Sequence, residues 1–304
     1  MQEFLGLAYF AEIPAVVFDV QRGGPSTGMP TRTQQSDILL CAFASHGDTK
    51  HVLVLPDGPA EAFEFAALAF DLADRLQTPI FVMLDLDIGM NSHLCAPFRW
   101  DDSRKLDRGK VMTFEDLESG RDFGRYLDVD GDGIPWRTIP GTHPTRGAYF
   151  TRGTSRDRYA RYTEEGGPYV DNMERLLRKY ETARKLLPRA QLREAAKSTR
   201  IGVIHYGSTS ASMDEAAELL AADGVQVDAL RLRAFPFGAE VGDFIASHEQ
   251  IFVVEQNRDA QMLTLLKMDL EAALHTRLRS IAHIHGLPLD ARSVTDELMT
   301  MEGK

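Results

Sequence analysis

The sequence predicts an α/β protein built on parallel sheets, and three observations carry that reading. Short all-apolar runs, AVVFDV (15–20), HVLVLP (51–56) and PIFVMLDL (79–86), are separated by a helix-like segment, as in a sheet covered on both faces. The last hundred residues repeat the alternation. With 304 residues, 43% hydrophobic and 26% charged, the chain can bury the cores of two units.

The elements follow in order. MQEFLGLAYFA at the start is apolar but holds Glu3 and no Lys or Arg, so it reads as a helix rather than a targeting segment. Strand 15–20 leads into QRGGPSTGMPTRT, a loop full of Gly, Pro, Ser and Thr. After strand 51–56 comes a helix over 61–76, with Phe63, Ala66, Ala67, Phe70, Ala73 and Leu76 on helical spacing. Pro79 opens strand 79–86. Residues 100–168 contain no long periodic element, which marks a functional stretch or an interface arm. A helix returns from Tyr169 to Leu187 and stops at Pro188. Strands over 201–207, 225–235 and 250–256 alternate with helices over 212–222, 239–247 and 260–273. Segments 281–284 and 293–299 complete a second, independent α/β domain.

Charge and cysteine content exclude several classes. The net charge of −11 disfavours a phosphate backbone or an anionic membrane as partner, so no nucleic acid and no membrane are expected. No run reaches the 18 or so apolar residues of a membrane span. Residues 151–200 carry 13 basic and 7 acidic side chains, net +6. They read first as a solvated helix face, with a basic surface for an acidic partner or nucleotide as the alternative. Cys41 and Cys95 form no C-x-x-C pair and cannot ligate an iron–sulfur cluster or a Cys₄ zinc. They make no disulfide framework, so a cytoplasmic location is expected.

The most informative segment runs from Gln21 to Thr31. It follows a strand directly, where ligands of open α/β sheets bind. Gly23, Gly24 and Gly28 allow close backbone approach, Pro25 stiffens the loop, and Ser26, Thr27 and Thr31 add hydroxyl donors. Arg22 offers a planar fork to a carboxylate or phosphate, a bond of about 1.5–3 kcal/mol. A structural loop with Arg22 paired to a neighbouring acid is the alternative. The glycine spacing meets neither the P-loop nor the dinucleotide fingerprint.

Other candidates are weaker. DVDGDG (128–133) opens like a calcium loop, but its twelfth position is Ile139. It also opens like the diphosphate–magnesium motif of thiamine enzymes without the closing Asn, so a tight acidic turn is expected, with a bound cation left open. His283 and His285 would share a strand face and read as structural, so no metal ligands are assigned. GSTSAS (207–212) reads as a helix cap, with an anion site as the alternative.

EIPAVVFDVQRGGPSTGMPTRTQQSDILL, TPIFVMLDLDIGMN, DFGRYLDVDGDGIPWRTIPGTHP, YFTRGTSRDRYARYTEE, GVIHYGSTS, DALRLRAFPF and FVVEQNRDAQ together resemble the alpha subunits of 2-oxoacid:ferredoxin oxidoreductases, nearest to the 2-oxoglutarate-oxidising branch. The resemblance spans essentially the whole chain. It implies a partial pyrimidine-type thiamine diphosphate-binding domain over 1–110, an irregular arm and helical linker over 111–197, and a transketolase-C-like α/β domain over 198–304.

It also implies the reaction: oxidative decarboxylation of a 2-oxo acid, 2-oxoglutarate first, to its acyl-CoA with ferredoxin as acceptor. Thiamine diphosphate and Mg would be shared with a beta subunit, which would carry the [4Fe-4S] cluster and the link to ferredoxin. Arg22 would bind the substrate carboxylate and Thr31 would line the same pocket, with no catalytic residue on this chain. Relatives carry, ahead of the segment matching Met1, a Y-P-I-T-P loop and the Glu that contacts the aminopyrimidine. Glu3 and Glu12 align instead to a later helix and its end. The chain is therefore expected to begin mid-domain and to be inactive alone. The alternatives are a catalytically inactive assembly or binding subunit, and a transketolase or 2-oxo acid dehydrogenase fragment, against which QRGGPSTGMPT argues.

Overall fold

Residues 1–303 are described by a computed structural model. The first part runs α1 (Gln2–Ala11), β1 (Ala15–Gly23), β2 (Met29–Thr33), α2 (Ile38–Ala42), β3 (Val52–Val54), α3 (Pro59–Leu76), β4 (Pro79–Asp85), α4 (Leu86–Met90), α5 (Phe114–Glu118) and α6 (Gly166–Arg184). The second runs β5 (Gln191–Arg193), β6 (Ile201–Tyr206), α7 (Thr209–Ala222), β7 (Asp228–Leu232), β8 (Ala234–Phe235), α8 (Ala239–Ser247), β9 (Gln250–Glu255) and α9 (Gln261–Asp269). A 3-10 turn (Ala272–Arg277), β10 (Leu278–Ala282) and α10 (Ala291–Met301) complete it.

Two five-stranded sheets result, ordered β2-β1-β4-β3-β8 and β10-β9-β6-β7-β5. β1, β4 and β3 are parallel to one another, as are β10, β9, β6 and β7, and the strands buried on both faces, β3, β4, β6 and β9, are the most apolar. Alternate residues of β6 serve different cores. Ile201 and Val203 pack with α7 and α10, whereas Ile204 and Tyr206 enter a central core with Leu53, Phe81 and Phe235 of the other sheet. A third cluster covers the outer face of the first sheet with Phe65 and Leu72 of α3 and Ala183 of α6. Each fully buried Leu, Ile, Val or Phe contributes about 1.5–3 kcal/mol.

Several expectations need correction. The strand read over 225–235 is two strands: β7 lies in the second sheet and β8 crosses to the first, antiparallel to β3. The two units are therefore not independent. Arg231 and Arg233 straddle the crossing, and both bind the Glu61 carboxylate of α3, at 2.6 Å each. QRGGPSTGMPTRT is a hairpin rather than a loop, because β1 continues to Gly23 and Met29–Thr33 returns antiparallel. The helix expected over 260–273 stops at Asp269 and gives way to the 3-10 turn. α2, α4, α5 and β5 escaped the sequence pattern, being only three to five residues long.

The basic stretch is not simply a solvated face. Arg156, Arg175 and Lys179 are buried around one carboxylate, Glu12.

Two buried histidines give a pH dependence. Burial, with Arg231 adding to it, holds His205 down to about 3, and burial holds His51 down to about 4. Both fall below the unfolded value, so the stability they represent is complete above about pH 6.5 and is lost as pH falls toward those values. At pH 5 each histidine represents roughly 2 kcal/mol. Urea midpoints at pH 7 and pH 5 should therefore differ more in the wild type than in His205→Asn. Equal differences would show that His205 is not held neutral.

Candidate functional site

β1 carries Arg22 to the carboxyl end of the first sheet. Gln21 anchors that end, its Nε2 donating to the Leu84 carbonyl (3.1 Å) and its Oε1 accepting the Asp37 N–H (3.0 Å). Alternation along the strand then turns Arg22 outward. It is exposed, with no hydrogen-bond or ion-pair partner among the described residues. The alternative of an Arg22 paired to a neighbouring acid is not what the chain adopts.

Residues 24–28 reverse the chain, and β2 returns with Thr33 opposite Arg22 and Met29 opposite Gly23, the register shifting between the two. Gly28 has φ +47°, and a Cβ there would lie 2.1 Å from the Gly23 carbonyl oxygen, so glycine closes this turn. Ser26 and Thr31 are also left-handed, at φ 57° and 59°. For a β-branched residue such as Thr31 that conformation costs about 1–3 kcal/mol and survives only where the surroundings impose it. Gly23 is buried, whereas Arg22, Gly24, Pro25, Ser26, Thr27, Gly28 and Thr31 are exposed. The structure records no contact between Arg22 and Thr31 themselves.

The second sheet holds this hairpin from behind. The Thr33 N–H donates to the Gly286 carbonyl (3.1 Å) and the Gln35 N–H to the Gln256 carbonyl (2.8 Å). Gln35 fills the crevice at the carboxyl ends of β6 and β9, the topological switch point where a ligand of an open sheet would sit. Its Nε2 donates to the Tyr206 carbonyl (3.1 Å) and its Oε1 accepts the Gln256 N–H (3.2 Å). The Ser208 hydroxyl donates to Asp85 (2.6 Å), so GSTSAS joins the two sheets and its serine does not cap α7. Asp85 is buried, and burial raises its carboxyl against the hydrogen bonds from Ser208 and the Ile88 N–H. Through that second bond Asp85 caps α4, and the Asp87 N–H in turn donates to the Thr33 hydroxyl (3.3 Å).

Beside the hairpin, burial and the neighbouring Asp37 raise Asp19 to about 6. Burial raises the Cys41 thiol, which donates to Asp19 at 3.7 Å. Cys41 is therefore a poor thiolate nucleophile.

The acidic turn binds its own chain. Asp128 accepts the N–H groups of Gly131 and Gly133, and Lys110 Nζ sits 2.6 Å from Asp130 and 2.8 Å from Asp132. Among the described residues no group of three or more His, Cys, Asp or Glu side chains could hold a metal ion. The donor set does not fit a magnesium diphosphate, and the exposed hairpin offers one wall of a site rather than an enclosure. His283 and His285 lie beyond the end of β10 rather than on a shared strand face, their rings edge to face at 3.8 Å.

Sequence reasoning missed Gln35, Asp85 and the buried role of Glu12. Asp85 is an N-cap residue type, but the five-residue helix it caps left no periodic signal, so it read as the end of a strand. Gln35 gave no local signal, because Tyr206 and Gln256, which its side chain bonds, lie more than 170 positions away.

The profile of the family described as pyruvate flavodoxin/ferredoxin oxidoreductase, thiamine diphosphate-binding, matches residues 1–182. The chain is 32% identical over 298 residues to 2-oxoacid:ferredoxin oxidoreductase 2, subunit alpha, of Aeropyrum pernix, covering 95% of this chain and 44% of that protein. It is 31% identical to 2-oxoglutarate synthase subunit KorA of Methanothermobacter thermautotrophicus, covering 84% of this chain and 66% of the relative. The fold matches a 2-oxoglutarate:ferredoxin oxidoreductase from Magnetococcus marinus with a TM-score of 0.86 at 22% identity, over 99% of this chain and 50% of that one. The chain thus spans about half the length of several proteins it resembles.

Proposed function

Because this chain belongs to the pyruvate flavodoxin/ferredoxin oxidoreductase family of thiamine diphosphate-binding proteins, we propose that it is the alpha-type part of an enzyme oxidising a 2-oxo acid, 2-oxoglutarate first, to its acyl-CoA. In that reaction the C1–C2 bond breaks and CO₂ leaves. The sulfur of coenzyme A bonds the acyl carbon, and two electrons pass singly to ferredoxin. Thiamine diphosphate, when bound, supplies the carbanion chemistry. A beta-type partner supplies the magnesium and diphosphate ligands and the iron–sulfur cluster; this chain has two cysteines, and the carboxylates of its acidic turn are taken by Lys110 and backbone N–H groups.

The observation that carries the reading is the hairpin with its unpaired Arg22. A guanidinium facing solvent at the carboxyl end of a parallel sheet is free to take a substrate carboxylate in a bidentate pair. Thr31, fixed on the return strand, bounds the space beside it. The left-handed backbone at Ser26 and Thr31 supports a functional role, because local propensity does not favour it at those residues.

Co-expression with a beta-type subunit tests the proposal. The purified complex, given thiamine diphosphate, magnesium, coenzyme A and a viologen dye, should reduce the dye on addition of 2-oxoglutarate, and the chain alone should not. A brown complex that never turns over would instead favour an inactive assembly subunit.

A further inference from the structure

We infer that Gly286, in the loop of residues 283–287 after β10, is a positioning residue for the hairpin and thereby for the oxo acid it accepts. The second half of that statement rests on the proposed function. The Gly286 carbonyl accepts the Thr33 N–H at 3.1 Å, so the loop is bonded to the return strand itself. At φ +78° a Cβ on residue 286 would lie 3.0 Å from Arg32 Cβ and 3.2 Å from Met29 Cε. Its absence lets the loop seat directly on β2. Arg32 directly follows Thr31, and its Nη1 donates to the Thr31 carbonyl at 3.2 Å. A displacement at residue 286 therefore reaches Thr31 through Arg32.

The loop cannot easily yield in the other direction. The His283 N–H is bonded to the Glu255 carbonyl (2.9 Å), the Leu287 N–H to His285 Nδ1 (3.2 Å), and the two imidazoles pack edge to face. With the loop held on both sides of residue 286, an added Cβ presses on Arg32 Cβ, which is fixed to the strand, more than on the movable Met29 methyl. Small shifts of a substrate-facing group are expensive in catalysis, so the second α/β unit sets the pocket without touching the substrate.

The test pairs Gly286→Ala with Gly224→Ala. Residue 224 has φ +80° with open space around it, so that variant carries a similar backbone strain away from the hairpin. Amide hydrogen exchange of residues 29–33 in the full chain should quicken at least about fivefold in Gly286→Ala and stay unchanged in Gly224→Ala. In the complex with the beta-type subunit, KM for 2-oxoglutarate should rise about fivefold in Gly286→Ala, with KM for coenzyme A within about twofold of wild type. Equal exchange in the two variants would overturn the positioning role. Faster exchange with an unchanged oxo acid KM would overturn its bearing on substrate. A wild-type complex without turnover would count against the enzyme reading alone, and the exchange comparison would still decide the role of Gly286.

Discussion

Glu12→Gln is expected to lower stability by about 3–5 kcal/mol, because it strands several buried cations at once. The Glu12 side chain is wholly buried at the end of α1. It meets Arg175 at 2.5 and 3.0 Å and Lys179 at 2.9 Å, with Arg156 at 3.8 Å. Burial alone would raise this carboxyl, but Arg175 and Lys179 outweigh it and hold the group well below the usual carboxylate range. The same cations reach outward: Arg175 Nη1 donates to the Gly133 carbonyl and Lys179 Nζ to the Gln77 carbonyl. One side chain thus ties α1 and α6 to the acidic turn and the end of α3. Glutamine keeps the shape but removes the charge and replaces one acceptor oxygen with an N–H donor facing donors, so urea midpoints of the two proteins measure both losses together. Glu12→Gln with Arg175→Met should recover part of the loss, since removing both partners is less harmful than removing one. A loss below about 1 kcal/mol for the single variant would show that water already screens the cluster.

The second large effect is on substrate. Arg22→Ala in the reconstituted complex should raise KM for the oxo acid roughly 10- to 100-fold, the equivalent of about 1.5–3 kcal/mol for a charged hydrogen-bonded pair. Stability should hardly change, because the side chain is exposed and no partner is recorded for it among the described residues. Arg22→Lys should recover only part of the affinity, since an ammonium cannot reproduce the planar fork. KM for coenzyme A serves as the internal control. An oxo acid KM within twofold of wild type would remove Arg22 from the site.

Much of this fold was legible because parallel strands buried on both faces must be apolar along their whole length. β4, β6 and β9 stood out for that reason, and α8 was placed residue for residue. What stayed hidden depends on contacts distant in sequence. Arg231 and Arg233 look like ordinary polar positions of one strand until Glu61 draws them together where the chain changes sheets. Gln35 looks like a loop residue until the ends of β6 and β9 close around it. Within the candidate site, the glycines announced the turn, but the left-handed backbone at Thr31 did not show, because threonine ordinarily avoids it. The basic count of 151–200 was visible, yet composition cannot say which cations turn inward to Glu12.

The central question is whether the oxo acid sits on the hairpin. Amide hydrogen exchange of the reconstituted complex, with and without saturating 2-oxoglutarate, reports where the ligand lies. Slowed exchange concentrated in residues 22–33 is expected, with loss of that protection in Arg22→Ala. Binding that protects other segments and leaves residues 22–33 unchanged would contradict that placement.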